Sequence, residues 1–259
     1  MSISDDGGVS YTNITVASGT GLGNDFVFGV YADGLDVYAA TVQGLSISSD
    51  GAATFTNRTT DDGLGDLVVF GVQADGATVY AATQGGLSIS TNGGASFTNY
   101  STGSGLGNMV VFGVYADGLN VYAGTLQGLG VSDDGGLTYT NRTMADGLGA
   151  DHVWGAYAIG STVYAATTGG LGVSTDGGVT FTNRTTADGL GDNGVLSVYA
   201  IGSTVYVGTQ GGVSVSTDSG ATFTNFTTAD GLGANAVGGV YASSSTVFAA
   251  NAGGLSIAT

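Results

Sequence analysis

The chain repeats itself at a fixed interval. An isoleucine or valine, set in a phrase typified by Gly-Leu-Ser-Ile-Ser, falls at Ile3, Ile47, Ile89, Val131, Val173, Val215 and Ile257, so the first gap is 44 residues and the next five are 42. The two extra residues lie within the stretch 15–20. A period of about 40 residues marks a propeller or a solenoid, and the content of one repeat decides between them. In residues 65–99, "LVVFGVQA" reads as a strand and "DGA" as a turn. "TVYAAT" is a second strand, "QGG" a turn, "LSIS" a third strand, "TNGGA" a tight connection and "SFTNYST" a fourth strand. Leu87 and Ile89 alternate with Ser88 and Ser90, the two-residue period of a strand. Four short strands with Gly/Asp/Asn turns pair most simply as an antiparallel meander, and such units set radially are propeller blades.

Six copies of (Phe/Tyr)-Thr-Asn and six of Gly-Leu-Gly give six blades, so residues 1–259 read as one all-β, six-bladed propeller of four antiparallel strands per blade. The third-strand phrase occurs seven times, at both ends of the chain. The expected closure therefore has the N- and C-terminal segments sharing one blade: its first three strands come from the C-terminus and its fourth from "VSYTN". Residues 1–5 and 255–259 then compete for one strand position. One of them is expected to fray or to pair with another molecule.

Composition narrows the functional classes. The net charge of −17 opposes nucleic acid and anionic membrane surfaces. There is no Cys, Lys, Pro or Glu, so there is neither a disulfide framework nor a thiolate metal site. No run approaches the ~18 apolar residues of a membrane helix, and "MSISDDGG" lacks the basic start and apolar core of a signal peptide. Acidic, Gly/Thr/Asp-rich composition suits an extracellular or cell-surface setting. Near-identical blades fit either recent amplification or deliberate design.

The phrase Ser-x-Asp-x-Gly-x-(Thr/Ser)-(Phe/Tyr) recurs near 4–11, 48–55, 90–97, 132–139, 174–181 and 216–223, with Asp6, Asp50, Asn92, Asp134, Asp176 and Asp218 at its third position. It resembles the Asp-box (BNR) repeat of sialidases and other propellers, and "FTNRTTADGLG…VYA…GG" is similar to two-component-regulator propeller repeats. The Asp-box resemblance implies a structural turn on the propeller face away from any active site. Physically, a short Asp side chain accepts N–H groups within its own turn, and Gly takes the positive φ there. Sialidase activity would require an arginine triad, a Tyr–Glu pair and an acid/base Asp. The chain has no Glu, and Arg58, Arg142 and Arg184 occupy one repeated position on different blades, so that activity is rejected.

The remaining candidates are weighed against plain structural roles. His152 and Trp154, the single His and Trp, start an innermost strand where other blades carry Phe26/Phe28, Val68/Phe70 and Val110/Phe112. They read either as a unique ligand patch or as drift at core positions. Around the same mouth fall Asn24, Asp25, Asp66, Asn108, Asp151, Asp192, Asn193 and Asn235. Such oxygens suit Ca²⁺ or sugar hydroxyls, and equally suit turns. No other cofactor is indicated. Asn13, Asn57, Asn99, Asn141, Asn183 and Asn225 each begin Asn-x-Thr/Ser, the glycan acceptor pattern in a secreted protein. The leading reading is a non-enzymatic extracellular interaction module, with a protein or carbohydrate partner at the propeller face and self-assembly through the redundant ends. The runner-up is a multivalent lectin with equivalent sites between blades.

Overall fold

The structure is a computed structural model of the chain, and it describes residues 1–4, 9–243 and 246–259. Ser2–Ile3 (β1) pairs with Thr12–Asn13 (β2), and six blades follow. Blade 1 consists of Val27–Asp33 (β3), Asp36–Thr41 (β4), Gly44–Ser48 (β5) and Thr56–Arg58 (β6), antiparallel and bonded in that order. β7–β10 repeat this over residues 69–100, β11–β14 over 111–142, β15–β18 over 153–184 and β19–β22 over 195–226. Blade 6 holds Val237–Ser243 (β23), Thr246–Asn251 (β24) and Gly254–Ala258 (β25). The chain is thus an all-β, six-bladed propeller whose first strands stand side by side around the axis.

The fourth strands are shorter than the sequence suggests: β10 covers Thr98–Tyr100 rather than all of "SFTNYST". The chain leaves the sheet because a threonine or serine caps a single 3-10 turn. In blade 1 the Thr59 N–H donates to the Asp62 carboxylate at 2.9 Å, while the Asp61 N–H donates to Thr59 Oγ1. Gly63 then turns at φ +97°, where a Cβ would strike the carbonyl of Phe97. That contact fastens the linker to the blade it leads into.

Blades stack by a repeated face-to-face contact. The trailing face of blade 1 (Tyr38, Ala40, Leu45, Ile47) packs on the leading face of blade 2 (Val69, Val72, Ala74, Val79, Ala81). Equivalent clusters join blades 2 to 3, 3 to 4 and 4 to 5, and a smaller one joins 5 to 6. An aromatic residue at the start of each fourth strand plugs this interface, and its N–H donates to the preceding linker: Phe55 to Thr20 O, Phe97 to Asp62 O, Tyr139 to Ser104 O, Phe181 to Asp146 O and Phe223 to Asp188 O, all within 2.7–2.9 Å.

The expected blade shared by both termini is corrected here. β2 pairs with β1 (Ser2↔Asn13, Ile3↔Thr12), and Met1 and Ile14 exchange backbone bonds at 2.8 and 2.9 Å. Met1, Ile3 and Ile14 then cover Leu22, Val37 and Phe55 on the leading face of blade 1. β23–β25 remain a separate three-stranded sheet on blade 5. The cause is redundancy. β1 and β25 are the same kind of strand, and β1, much closer to β2 along the chain, occupies its inner edge at the smaller loop-closure cost.

Among the described residues two non-glycines sit in the left-handed region, Ala52 at φ +68° and Ser219 at φ +61°. Ser219 is exposed and occupies the place of Gly93, Gly135 and Gly177 in other blades. Ser219→Gly is expected to raise the unfolding free energy by about 0.5–1 kcal/mol, less than the full left-handed penalty because glycine also frees the unfolded chain. Urea unfolding of the two proteins measures it.

Candidate functional site at the channel mouth

Each first strand carries a bulge one residue after its start. In blade 2, Val69 pairs with Thr83 but the next partner pair is Gly71↔Ala82, leaving Phe70 outside the ladder. A bulge of this kind re-aims one side chain. Phe28, Phe70, Phe112 and Trp154 form a row across blades 1 to 4, with ring centroids 5.1, 5.4 and 5.0 Å apart. Leu196 and Gly238 end it in blades 5 and 6. The glycine after the bulge lets neighbouring backbones approach: a Cβ on Gly113 would lie 2.7 Å from the Trp154 carbonyl.

His152 is stacked on Phe112 at 4.9 Å and lies 4.3 Å from Trp154, and Phe26 caps Phe28 at 4.9 Å. His152 Nε2 and Trp154 Nε1 are buried and without a hydrogen-bond partner among the described residues, as is Ser197 Oγ on the adjoining strand β19. Burial holds the His152 pKa below the ordinary 6.5, so the imidazole is neutral at pH 7. Phe26 and Phe28 are exposed. The arrangement is an apolar aromatic surface with two unspent ring nitrogens.

A second row lies further along the same strands. Tyr115, Tyr157, Tyr199 and Tyr241 are spaced 4.7, 4.8 and 4.8 Å apart across blades 3 to 6. Burial followed by the neighbouring Tyr157 pushes the Tyr199 pKa upward. In blade 2 Gln73 stands in the corresponding place and bridges to blade 3, donating to Ala116 O at 2.8 Å and accepting from Ala116 N at 2.7 Å. The sequence places Trp154 with Phe28, Phe70 and Phe112 at equivalent positions but does not show that they form a continuous row. The signal was present as aromatic residues 42 positions apart, but alternation alone assigns them to a core.

The ring of predicted mouth residues is spent on backbone. Asn24, Asp66, Asn108 and Asp192 accept from the N–H two residues on, at 2.7–2.9 Å. Asp25, Asp151, Asn193 and Asn235 accept from Val16, Met144, Thr186 and Thr228, the first residues of the 3-10 turns, at 2.6–2.9 Å. Among the described residues no three His, Asp or Glu side chains gather as metal ligands. Asn57, Asn99, Asn141, Asn183 and Asn225 donate Nδ2 to the turn between second and third strands at 2.7–3.0 Å, the nitrogen a glycan would occupy. Asn13 lies in β2 opposite Ser2. The arginines stay apart on three blades, each beside its own aspartate: Arg58–Asp62 at 3.4 Å, Arg142–Asp146 and Arg184–Asp188 at 3.7 Å.

The Ser-x-Asp turns sit at the opposite end, beside the turns that close the first strands. In blade 3 the Asp134 carboxylate accepts from Ser132 Oγ, Leu137 N, Thr138 N and Thr138 Oγ1 at 2.6–3.0 Å. Asp50, Asp176 and Asp218 make equivalent bonds, and Asn92 makes them with its amide, donating Nδ2 to Ser96 Oγ. Asp6 lies outside the described residues.

Comparisons place the fold. No family model and no curated protein matches the sequence. Among solved structures, the extracellular domain of the hybrid two-component system BT3049 from B. thetaiotaomicron aligns with TM-score 0.76 and 19% identity over 95% of this chain. An ancestral GH74 enzyme aligns with TM-score 0.67 and 18% identity over 88% of this chain. YCF48 bound to D1 peptide gives TM-score 0.52 and 15% identity over 90% of this chain and 92% of its own. The chain spans only 35% of the length of each of the first two. At these identities the likeness is one of propeller fold.

Two predictions follow from the ionisable groups. Hydrogen bonds from Thr54 and Ser48, and from Thr138 and Ser132, lower the carboxyls of Asp50 and Asp134 from 3.8 to about 2; Asp176 and Asp218 are lowered further by the same kind of donors. The unfolded chain therefore takes up protons first, and this stabilisation, complete above pH ~4, is lost as pH falls toward about 2. Urea midpoints should decline through that window, and Asp134→Asn, which reproduces the Asn92 turn, should flatten its share without unfolding the protein. His152 also binds its proton less tightly than an unfolded histidine, so stability falls below pH 6.5. Trp154 emission should be quenched by the imidazolium with a midpoint under 6.5, and His152→Phe should abolish the step.

Proposed function

We propose that the chain is a non-enzymatic interaction module working outside the cell, and that its ligand binds at the aromatic channel mouth beside His152 and Trp154. The observation that carries this reading is the pair of buried, unpartnered ring nitrogens set in an aromatic wall. Other buried polar atoms without a partner among the described residues, such as Tyr139 Oη and the Nε of Arg58, Arg142 and Arg184, are scattered over several blades, whereas here two ring nitrogens share one aromatic wall and a ligand hydroxyl or carboxylate would complete them. Extracellular neighbours such as BT3049 support the setting, and YCF48 bound to D1 peptide supports a peptide or protein as one class of partner. General acid–base catalysis needs two carboxyls of divergent acidity facing a substrate. The mouth carboxylates instead accept backbone N–H groups, and the reading calls on no cofactor.

The lectin reading has one observation of its own. A groove of about 350 Å³ opens between blades 2 and 3, lined by Tyr80, Phe97 and Tyr100 with Asn92, Ser96 and Asp134 at its rim. Aromatic faces beside polar groups suit a sugar, and the Ser-x-Asp turns would then line a binding surface as well as resemble the Asp box.

Trp154, the single tryptophan, makes the test direct. Its emission should respond saturably to one member of a panel of soluble oligosaccharides, peptides and aromatic carboxylates, in calcium and in chelator. His152→Ala should weaken that binding at least tenfold. A response retained in Trp154→Phe, read calorimetrically, and lost in Tyr100→Ala would move the site to the groove between blades 2 and 3. Silence across the panel would overturn both sites.

A further inference from the structure

We infer that blade 6 is completed by the N-terminal strand of a second copy of this chain, with Tyr11 of that copy as the plug. Among the described residues blade 6 has no fourth strand, and it therefore lacks the aromatic residue that seals the contact with the preceding blade. A groove of about 310 Å³ stands there, between the outer strands of blades 5 and 6, walled by Val213, Val215, Leu232, Val247, Ala249 and Ile257. The linker carbonyl of Asp230, matching those that accept from Phe97 or Phe223, receives no such N–H among the described residues. At Gly63, Gly105, Gly147 and Gly189 a Cβ would meet the plug's carbonyl, whereas the space at Gly231 is open. Among the described residues β25 is bonded only to β24, which leaves its outer edge without a strand partner there.

The chain also carries a plug without a socket. Tyr11 heads the first of the six (Phe/Tyr)-Thr-Asn phrases, and it is 51% exposed where Phe55, Phe97, Tyr139 and Phe181 are 8%. The larger faces match in the same way. Tyr241, Leu255 and Ile257 leave the trailing face of blade 6 exposed at 51, 48 and 45%, and Phe28 and Val30 are exposed on blade 1. Inside the chain the residues equivalent to Leu255 (Leu45, Leu87, Leu129, Leu171) are fully buried against the next blade. Socket and plug therefore belong to one contact that each chain makes five times, and within a single chain they stay apart, because β1 holds β2 on blade 1.

Exchange between copies loses little. β25 repeats the Ser-Ile pair of β1, so β2 can trade one for the other and keep its ladder. By the register of blade 1, where Ile47 faces Thr56 and Ser46 faces Asn57, Ile257 would face Thr12 and Ser256 would face Asn13. The gain is Tyr11 in its groove and the trailing face of blade 6 covered by blade 1 of the partner copy. The contact joins unlike surfaces, so it runs head to tail.

The chain has no cysteine, which permits a clean crosslinking test. Thr12→Cys and Ile257→Cys, mixed as separate proteins under mild oxidation, should give a disulfide-linked species of twice 25.2 kDa. Light scattering of the unmodified chain should show the mass rising with concentration toward multiples of 25.2 kDa, and Tyr11→Asp, a change at an exposed site, should hold it at one. The inference is overturned by a mass of one chain at every concentration. It is equally overturned if only the double variant crosslinks, within a single chain, which would mean that each chain closes on itself.

Discussion

The contact on which this molecule depends is the trailing face of one blade laid on the leading face of the next and sealed by an aromatic plug. A four-stranded meander of this length has two apolar faces and cannot bury either by itself. Leu129, Val153 and Val163 meet between blades 3 and 4 with no solvent exposure, and each such side chain contributes roughly 1.5–3 kcal/mol when fully buried. The plug adds direction as well as area, because its N–H holds the linker that delivers the chain into that blade. Stability accordingly accumulates by nearest-neighbour contacts, as in other repeat architectures.

A frame that spends most of its loop side chains on its own turns leaves few groups for chemistry. The Asp, Asn, Ser and Thr residues that crowd the loops cap 3-10 turns, close Asx turns or fix the second turn of each blade. What remains is found where the repeat is broken. His152 and Trp154 replace aliphatic and phenyl groups, Ser197 replaces a glycine, and Gln73 interrupts the tyrosine row. In the three-stranded blade 6, Asn251 replaces the usual threonine and reaches Ser256 Oγ at 2.8 Å, a partner that Asn57 supplies in blade 1. Departures from the repeat are thus the informative residues in both the channel and the terminal blade.

Most of the architecture was legible because periodicity acts at two scales. The 42-residue interval specified blades, and the two-residue alternation specified strands; "TVYAAT" at 78–83 is β8 residue for residue. The terminal arrangement was not legible, since β1 and β25 are equivalent in sequence and only chain proximity separates them. The channel rows were hidden for a different reason. The bulge breaks alternation, so that Val69 and Val72 share a face and Phe70 is released from it. The mouth residues accept backbone N–H groups in the structure, a role hidden in the sequence because residue type alone does not tell a capping oxygen from a free one.

The uniformity of the interfaces has a consequence for how such a protein can change. No local contact records how many blades there are, because each blade meets only a predecessor and a successor of the same form. Insertion or loss of one 42-residue unit within the array would leave every strand register and every plug intact, and would alter only the spacing between the two ends. Copy number is therefore a free variable for the interior, selected by whatever the first and last blades must meet.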